Sequence, residues 1–212
     1  MSSPTRWCRI AAAASWTADV GPPRTELLSR AERSAASFSA RILAHVIGEL
    51  SSHPDITSLP RPWVHGVTDL ADTQTLRDPV LLRIIDPSPG PLRVHAGRTV
   101  VPMTLLEGMA LLEDHDAVLV TFGQDAIAPH HEALAAALIL TRESPNPALV
   151  LHPPVLRRTS SHLGATGAKE HPLSVSLRIV RAINVGQPTI ETVACRDVDH
   201  QAHWRIELGA VD

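Results

Sequence analysis

Histidine is the side chain best placed for proton transfer or metal binding near neutral pH, and this chain carries twelve. Three stretches set histidine beside acids. Glu113, Asp114, His115 and Asp116 form the first run, a donor set that suits a transition metal. The run falls where a helix must end and turn into a strand, so a solvated polar cap is the expected role. His130, His131 and Glu132 form the second; adjacent residues on regular structure point apart, which disfavours a shared ion. His200 and His203, with Asp197 and Asp199, form the third, in the turn of an expected hairpin. No metal and no cofactor is expected from these runs. HExxH and GxSxG are both absent, although an acid-base or nucleophilic site can also assemble from residues distant in sequence.

The remaining reactive groups are sparse. Cys8 and Cys195 lie far apart with no zinc spacing, and each is expected to act as a small buried hydrophobe. GATGAKEH, Gly164 to His171, has a phosphate-loop flavour, but no strand precedes it and its spacing is wrong. GxGxxG and GxxxxGK[ST] do not occur. A formal charge of -3, aromatic content of 3% and the absence of tyrosine argue against a nucleic-acid surface. No stretch supplies the roughly 20 apolar residues of a membrane span, and AAAASW is too short for a signal-peptide core. A cytoplasmic protein is expected.

The elements that must position any site fit one domain over 1-212, since 212 residues with 44% hydrophobic content can bury one large core. The clearest unit is Pro91 to Thr141. It reads as strand (LRVHA), helix (about Val100 to Glu113), strand (DAVLVTF, Asp116 to Phe122), polar loop and strand (Leu134 to Leu140). Leu105, Leu106, Met109 and Leu112 recur at helical spacing with small Gly108 and Ala110 between them.

Before this unit, Trp7 to Trp16 reads as a small-residue strand. Thr25 to Leu50 reads as one long helix, Pro60 to Val67 as a short strand, and Asp72 to Ile85 as a helix starting or kinking near Pro79. After it, Ala148 to His152 can pair back on the preceding strand as a hairpin. Within the domain, 1-152 forms the α/β core, 153-171 a flexible segment, and 172-212 a helix (Leu173 to Ile183) and hairpin (Thr189 to Cys195, Ala202 to Leu208). Alternation of strands and helices predicts a mostly parallel five-stranded sheet with helices on both faces.

The contents of these elements resemble β-ketoacyl synthases of the thiolase fold. GPLRVHAGRT, TLLEGMALLE, DAVLVTFGQD and EALAAALIL stand where that family has a strand leading to the nucleophile, a helix packed through small residues, a strand, and an alanine-rich strand. LLSRAERSAASFSARIL, HPLSVSLRIV and HWRIEL with Trp204 are similar to the beginning and end of short ketosynthase-like proteins that hold only the N-terminal half of the fold. The resemblance therefore implies a thiolase-like half-fold. Active members carry a cysteine at the head of the buried helix, where the helix dipole favours a thiolate. The matching window, His95 to Val101, reads HAGRTVV. Its only hydroxyl is Thr99, expected as a helix cap.

The resemblance thus implies no catalytic residue in this chain and a role like that of a chain-length factor. Its partner would be a full-length β-ketoacyl synthase and, indirectly, an acyl carrier protein. Thr99, Pro102, Met103 and Leu106 are nominated for the pocket or partner interface. Two other readings stay open: an acyl transferase with a dispersed histidine site, and a ligand-binding or scaffold domain unrelated to polyketide synthesis.

Overall fold

A computed structural model describes residues 7-60, 62-68, 83, 91-124, 133-143, 149-158, 171-194 and 202-210. Among the described residues, eight strands form one sheet in the order β3-β2-β4-β5-β1-β6-β8-β7. They are β1 (Cys8–Thr17), β2 (Trp63–Val67), β3 (Leu92–His95), β4 (Ala117–Gln124), β5 (Leu134–Thr141), β6 (Leu149–Arg158), β7 (Thr189–Ala194) and β8 (Ala202–Ala210). The described helices are α1 (Arg30–Ala35), α2 (Phe38–Ser51), α3 (Val100–Leu111) and α4 (Ser174–Asn184).

The expected five-stranded, mostly parallel sheet is corrected on both counts. β2 runs parallel to β3 and β4, whereas the other neighbouring pairs are antiparallel. The physical reason is that a continuous apolar run reports burial on both faces, not strand direction. Helices cover both faces here, so antiparallel β5 is buried along its whole length. β6 does not pair back on β5 either. β1 lies between them, pairing with both, because its small residues let it fill the sheet centre. β6 continues through Arg158.

The helix expected over Thr25 to Leu50 is also two helices, because serine offers the backbone a local alternative at two places. The Ser29 hydroxyl accepts from the Glu32 N–H at 3.4 Å, and the Glu32 carboxylate accepts from the Ser29 N–H at 2.7 Å. This capping box starts α1. The Ser37 hydroxyl accepts from the Ala40 N–H at 3.1 Å and starts α2 after an extended Ala36. The expected helix over Asp72 to Ile85 lies outside the described residues, apart from Arg83, which pairs with Glu32.

Two layers complete the fold. Ile42, Leu43, Val46, Ile47 and Leu50 of α2 pack on Trp63, Val67, Leu119, Ala135, Ala137 and Ile139 of one sheet face. Each of those larger side chains contributes roughly 1.5–3 kcal/mol by leaving water. On the opposite face α3 and α4 share a core with Val64, Val120, Phe122, Leu138, Leu151, Ile206 and Leu208. A bulge in β1 serves both layers. Ile10 pairs with Leu140 and Ala12 with Ile139, leaving Ala11 extra. Cys8 and Ile10 therefore face the α3 side, while Ala12, Ala14 and Trp16 face α2.

α3 sits close to the sheet because two glycines remove side chains from the contact. A β-carbon on Gly108 would lie 2.7 Å from Val120 Cγ2. One on Gly66 would lie 2.6 Å from Thr104 Oγ1 and 2.8 Å from Phe122 Cδ1. Thr104 has little room to retreat, since its hydroxyl donates to the Val100 carbonyl at 2.6 Å. Gly66→Ala is therefore expected to destabilise the chain by about 1–3 kcal/mol through overpacking, measured by urea unfolding. An unchanged midpoint would show that β2 and α3 can separate freely.

Candidate functional site

β3 ends at His95, and the chain then turns through Ala96 into a single 3-10 turn, Gly97–Thr99, that leads directly into α3. Gly97 takes φ +50°, a left-handed value that suits glycine. The Thr99 hydroxyl donates to the Ala96 carbonyl at 2.9 Å. It turns back into the turn and gives α3 no side-chain cap, contrary to the expected capping role. β7 lies against this turn from the far edge of the sheet, and Val193 of β7 shares the core with Val100 and Val101.

The nominated residues divide around α3. Pro102 is buried, Met103 is 38% exposed, and Leu106 is half-buried. Met103 and Leu106, three residues apart, share the outer side of the helix. The expected inward face is adjusted as well. Val100, Val101, Thr104, Leu105 and Gly108 are buried, whereas Met109 is only partly so. Gly66 and Gly108 explain the shift, since the close approach they permit draws the Thr104–Gly108 side of the helix onto the sheet.

A second arrangement lies on the other face of the same strands. Register places His65 of β2 beside Thr121 of β4, and the period of two puts Trp63 on the same face. Trp63 Nε1 donates to Thr121 Oγ1 at 2.7 Å, and Thr121 Oγ1 stands 2.7 Å from His65 Nδ1. With tryptophan as donor, the threonine proton is available to the imidazole. Burial, helped by the positive charge of Arg93 on β3, lowers the His65 pKa to about 3. The ring is neutral near pH 7 and enclosed at 1% exposure, which makes it a satisfied polar link between strands. Sequence reading missed it. The available signal was WVHGV, in which tryptophan and histidine alternate within a fully buried strand.

The other candidates separate. Cys8 is buried and its thiol is pushed up to about 12 by desolvation, so it stays protonated. Glu113 to Asp116 are exposed. The Arg142 guanidinium donates to the Leu112 and Glu113 carbonyls and so closes the end of α3. His203 lies on β8. Cys195, His130, His131, Glu132, Asp197, Asp199, His200 and Gly164 to Glu170 lie outside the described residues. No helix among the described residues is long and apolar enough to cross a membrane.

No family model matches the sequence, and no curated protein matches it. Solved structures do match. An oxazolomycin ketosynthase domain from Streptomyces albus JA3453 aligns over 97% of this chain and 96% of its own, at 10% identity and a TM-score of 0.59. A tetronic acid condensing enzyme aligns over 96% of this chain and 100% of its own, at 13% identity and a TM-score of 0.58. At such identities the likeness concerns the fold: the chain has a ketosynthase-like thiolase fold.

The buried histidine has a measurable consequence. Its pKa is about 3 in the folded chain and about 6.5 in an unfolded one. Between these values the unfolded chain binds a proton that the folded chain refuses. Stability therefore rises with pH through this window, by up to about 1.4 kcal/mol per unit, and falls on acidification. His65→Asn keeps an acceptor for Thr121 and should flatten this slope in chemical unfolding measured from about pH 6.5 to about pH 4. A variant with the wild-type slope would place the titration elsewhere.

Proposed function

We propose that this chain is a non-catalytic, ketosynthase-like subunit of the chain-length-factor kind. It pairs with a full-length, cysteine-bearing ketosynthase in polyketide or fatty-acid-type chain elongation. The observation that carries this reading is the turn ahead of α3. HAGRT holds neither cysteine nor serine, and its one hydroxyl is committed to the Ala96 carbonyl. Covalent acyl transfer needs an activated nucleophile. That chemistry falls to the partner, together with the contact to the acyl carrier protein.

Two surface features support pairing. Among the described residues β3 ends the sheet, so no described strand pairs with one side of its backbone, the side we assign to strand addition. Leu92 on that strand is 42% exposed and Met103 on α3 is 38% exposed. Leu92 and Met103 are the contacts we assign to the partner, with Leu106 beside them. The acyl-transferase alternative has no such support. His65 is enclosed, and His45, the other buried histidine among the described residues, has both ring nitrogens engaged.

Co-expression with a ketosynthase encoded beside this chain should give one heterodimer peak on size exclusion; two separate peaks would refute the pairing. Met103→Glu should weaken that heterodimer by about tenfold or more, as expected for a charge placed in an interface core. Its thermal midpoint as an isolated chain should be unchanged. A variant that pairs as tightly as the wild type would remove Met103 from the interface.

A further inference from the structure

Far from α3, the segment between β1 and α1 folds back over α2. Trp16 Nε1 donates to the Gly21 carbonyl at 3.1 Å, which fixes the start of the segment. Leu28 fixes its end, packed with Ala36 on Ala40 and Ala44 of α2. Between these anchors the Arg24 N–H donates to His45 Nδ1 at 2.8 Å. The other ring nitrogen, Nε2, faces Glu49 Oε1 at 3.2 Å, one helical turn on. His45 is 8% exposed and lines a cleft of about 260 Å³ with Arg24, Glu26, Leu27, Glu49 and Ser52.

These contacts fix the tautomer. Nδ1 accepts a backbone proton and must be bare, so Nε2 carries the hydrogen and donates it to Glu49. A ring held this way has no free lone pair for a metal ion or for general-base work. It has one remaining proton-binding position, and the Arg24 amide occupies it. Protonation would set two N–H groups against each other.

We propose that His45 is a pH-sensitive clasp, holding residues 21-28 on α2 when neutral and releasing them when protonated. The charged groups around the ring are Glu49 on α2 and, across the cleft, Glu26 and Arg24. Arg41, one turn earlier, is drawn over the Phe38 ring. The protonated ring carries a hydrogen on Nδ1 and cannot keep the Arg24 bond. The anchors at Gly21 and Leu28 contain no titrating group, so release is confined to the middle of the segment.

Amide hydrogen exchange on the full chain, corrected for intrinsic rates, tests this. Protection of the Arg24 amide should fall by about five- to tenfold between about pH 7.5 and about pH 5, the equivalent of one net hydrogen bond of about 1 kcal/mol. The β5 amides report the global loss that His65 causes, and the fall at Arg24 should persist in a His65→Asn background, which separates local opening from that global effect. Asparagine places a non-titrating oxygen near the Nδ1 position, so His45→Asn should hold the Arg24 amide protected at both pH values. His45→Ala should leave it unprotected at both. Glu49→Gln should move the loss of protection to lower pH, and it serves as the second variant where His45→Ala does not fold. Constant Arg24 protection in the wild type, or a His45→Asn variant as pH-dependent as the wild type, would overturn the proposal.

Discussion

The fold depends on covering α3. Eleven of its residues are uncharged and only Glu107 is charged, so most of its circumference must be kept from water. β2 and β4 meet one side at the short distance allowed by Gly66 and Gly108. β6 meets another, and β7 reaches the turn at its head. The sheet therefore curls round the helix, bringing its β7 edge to the turn that follows its β3 edge. Met103 and Ala110 are the exposed residues that remain on α3.

Two buried threonines near α3 are engaged in ways that leave little reactivity. Thr104 bonds its own helix. Thr121 takes the Trp63 proton and lies against His65. Each such bond adds only about 1 kcal/mol, but an orphaned partner would cost about 1–3 kcal/mol. The same economy holds at the head of α3, where the Thr99 hydroxyl turns to the Ala96 carbonyl. These bonds hold backbone and side chains in place, and burial keeps the His65 ring neutral near pH 7.

Much of this was legible in the sequence. Buried runs marked β4 and β5, punctuation marked β2, and the helix and hairpin of the tail appear close to their expected bounds. Strand direction was not legible, because burial on both faces looks the same in parallel and antiparallel strands. The break between α1 and α2 was hidden by a periodic pattern that runs through Ser37. Thr99 was placed correctly at the helix head, but which group its hydroxyl meets depends on the turn geometry set by Gly97. His45 and His65 escaped notice for a common reason: each is defined by a partner distant in sequence, Arg24 in one case and Thr121 in the other.

The chain has a ketosynthase-like thiolase fold, and the proposed function assigns the covalent chemistry to another chain. Intact-protein mass spectrometry of the co-expressed pair, after incubation with an acyl-carrier-bound acyl donor, tests this most directly. The expected result is an acyl adduct on the partner's mass alone, with the mass of this chain unchanged. An acyl adduct on this chain would contradict it.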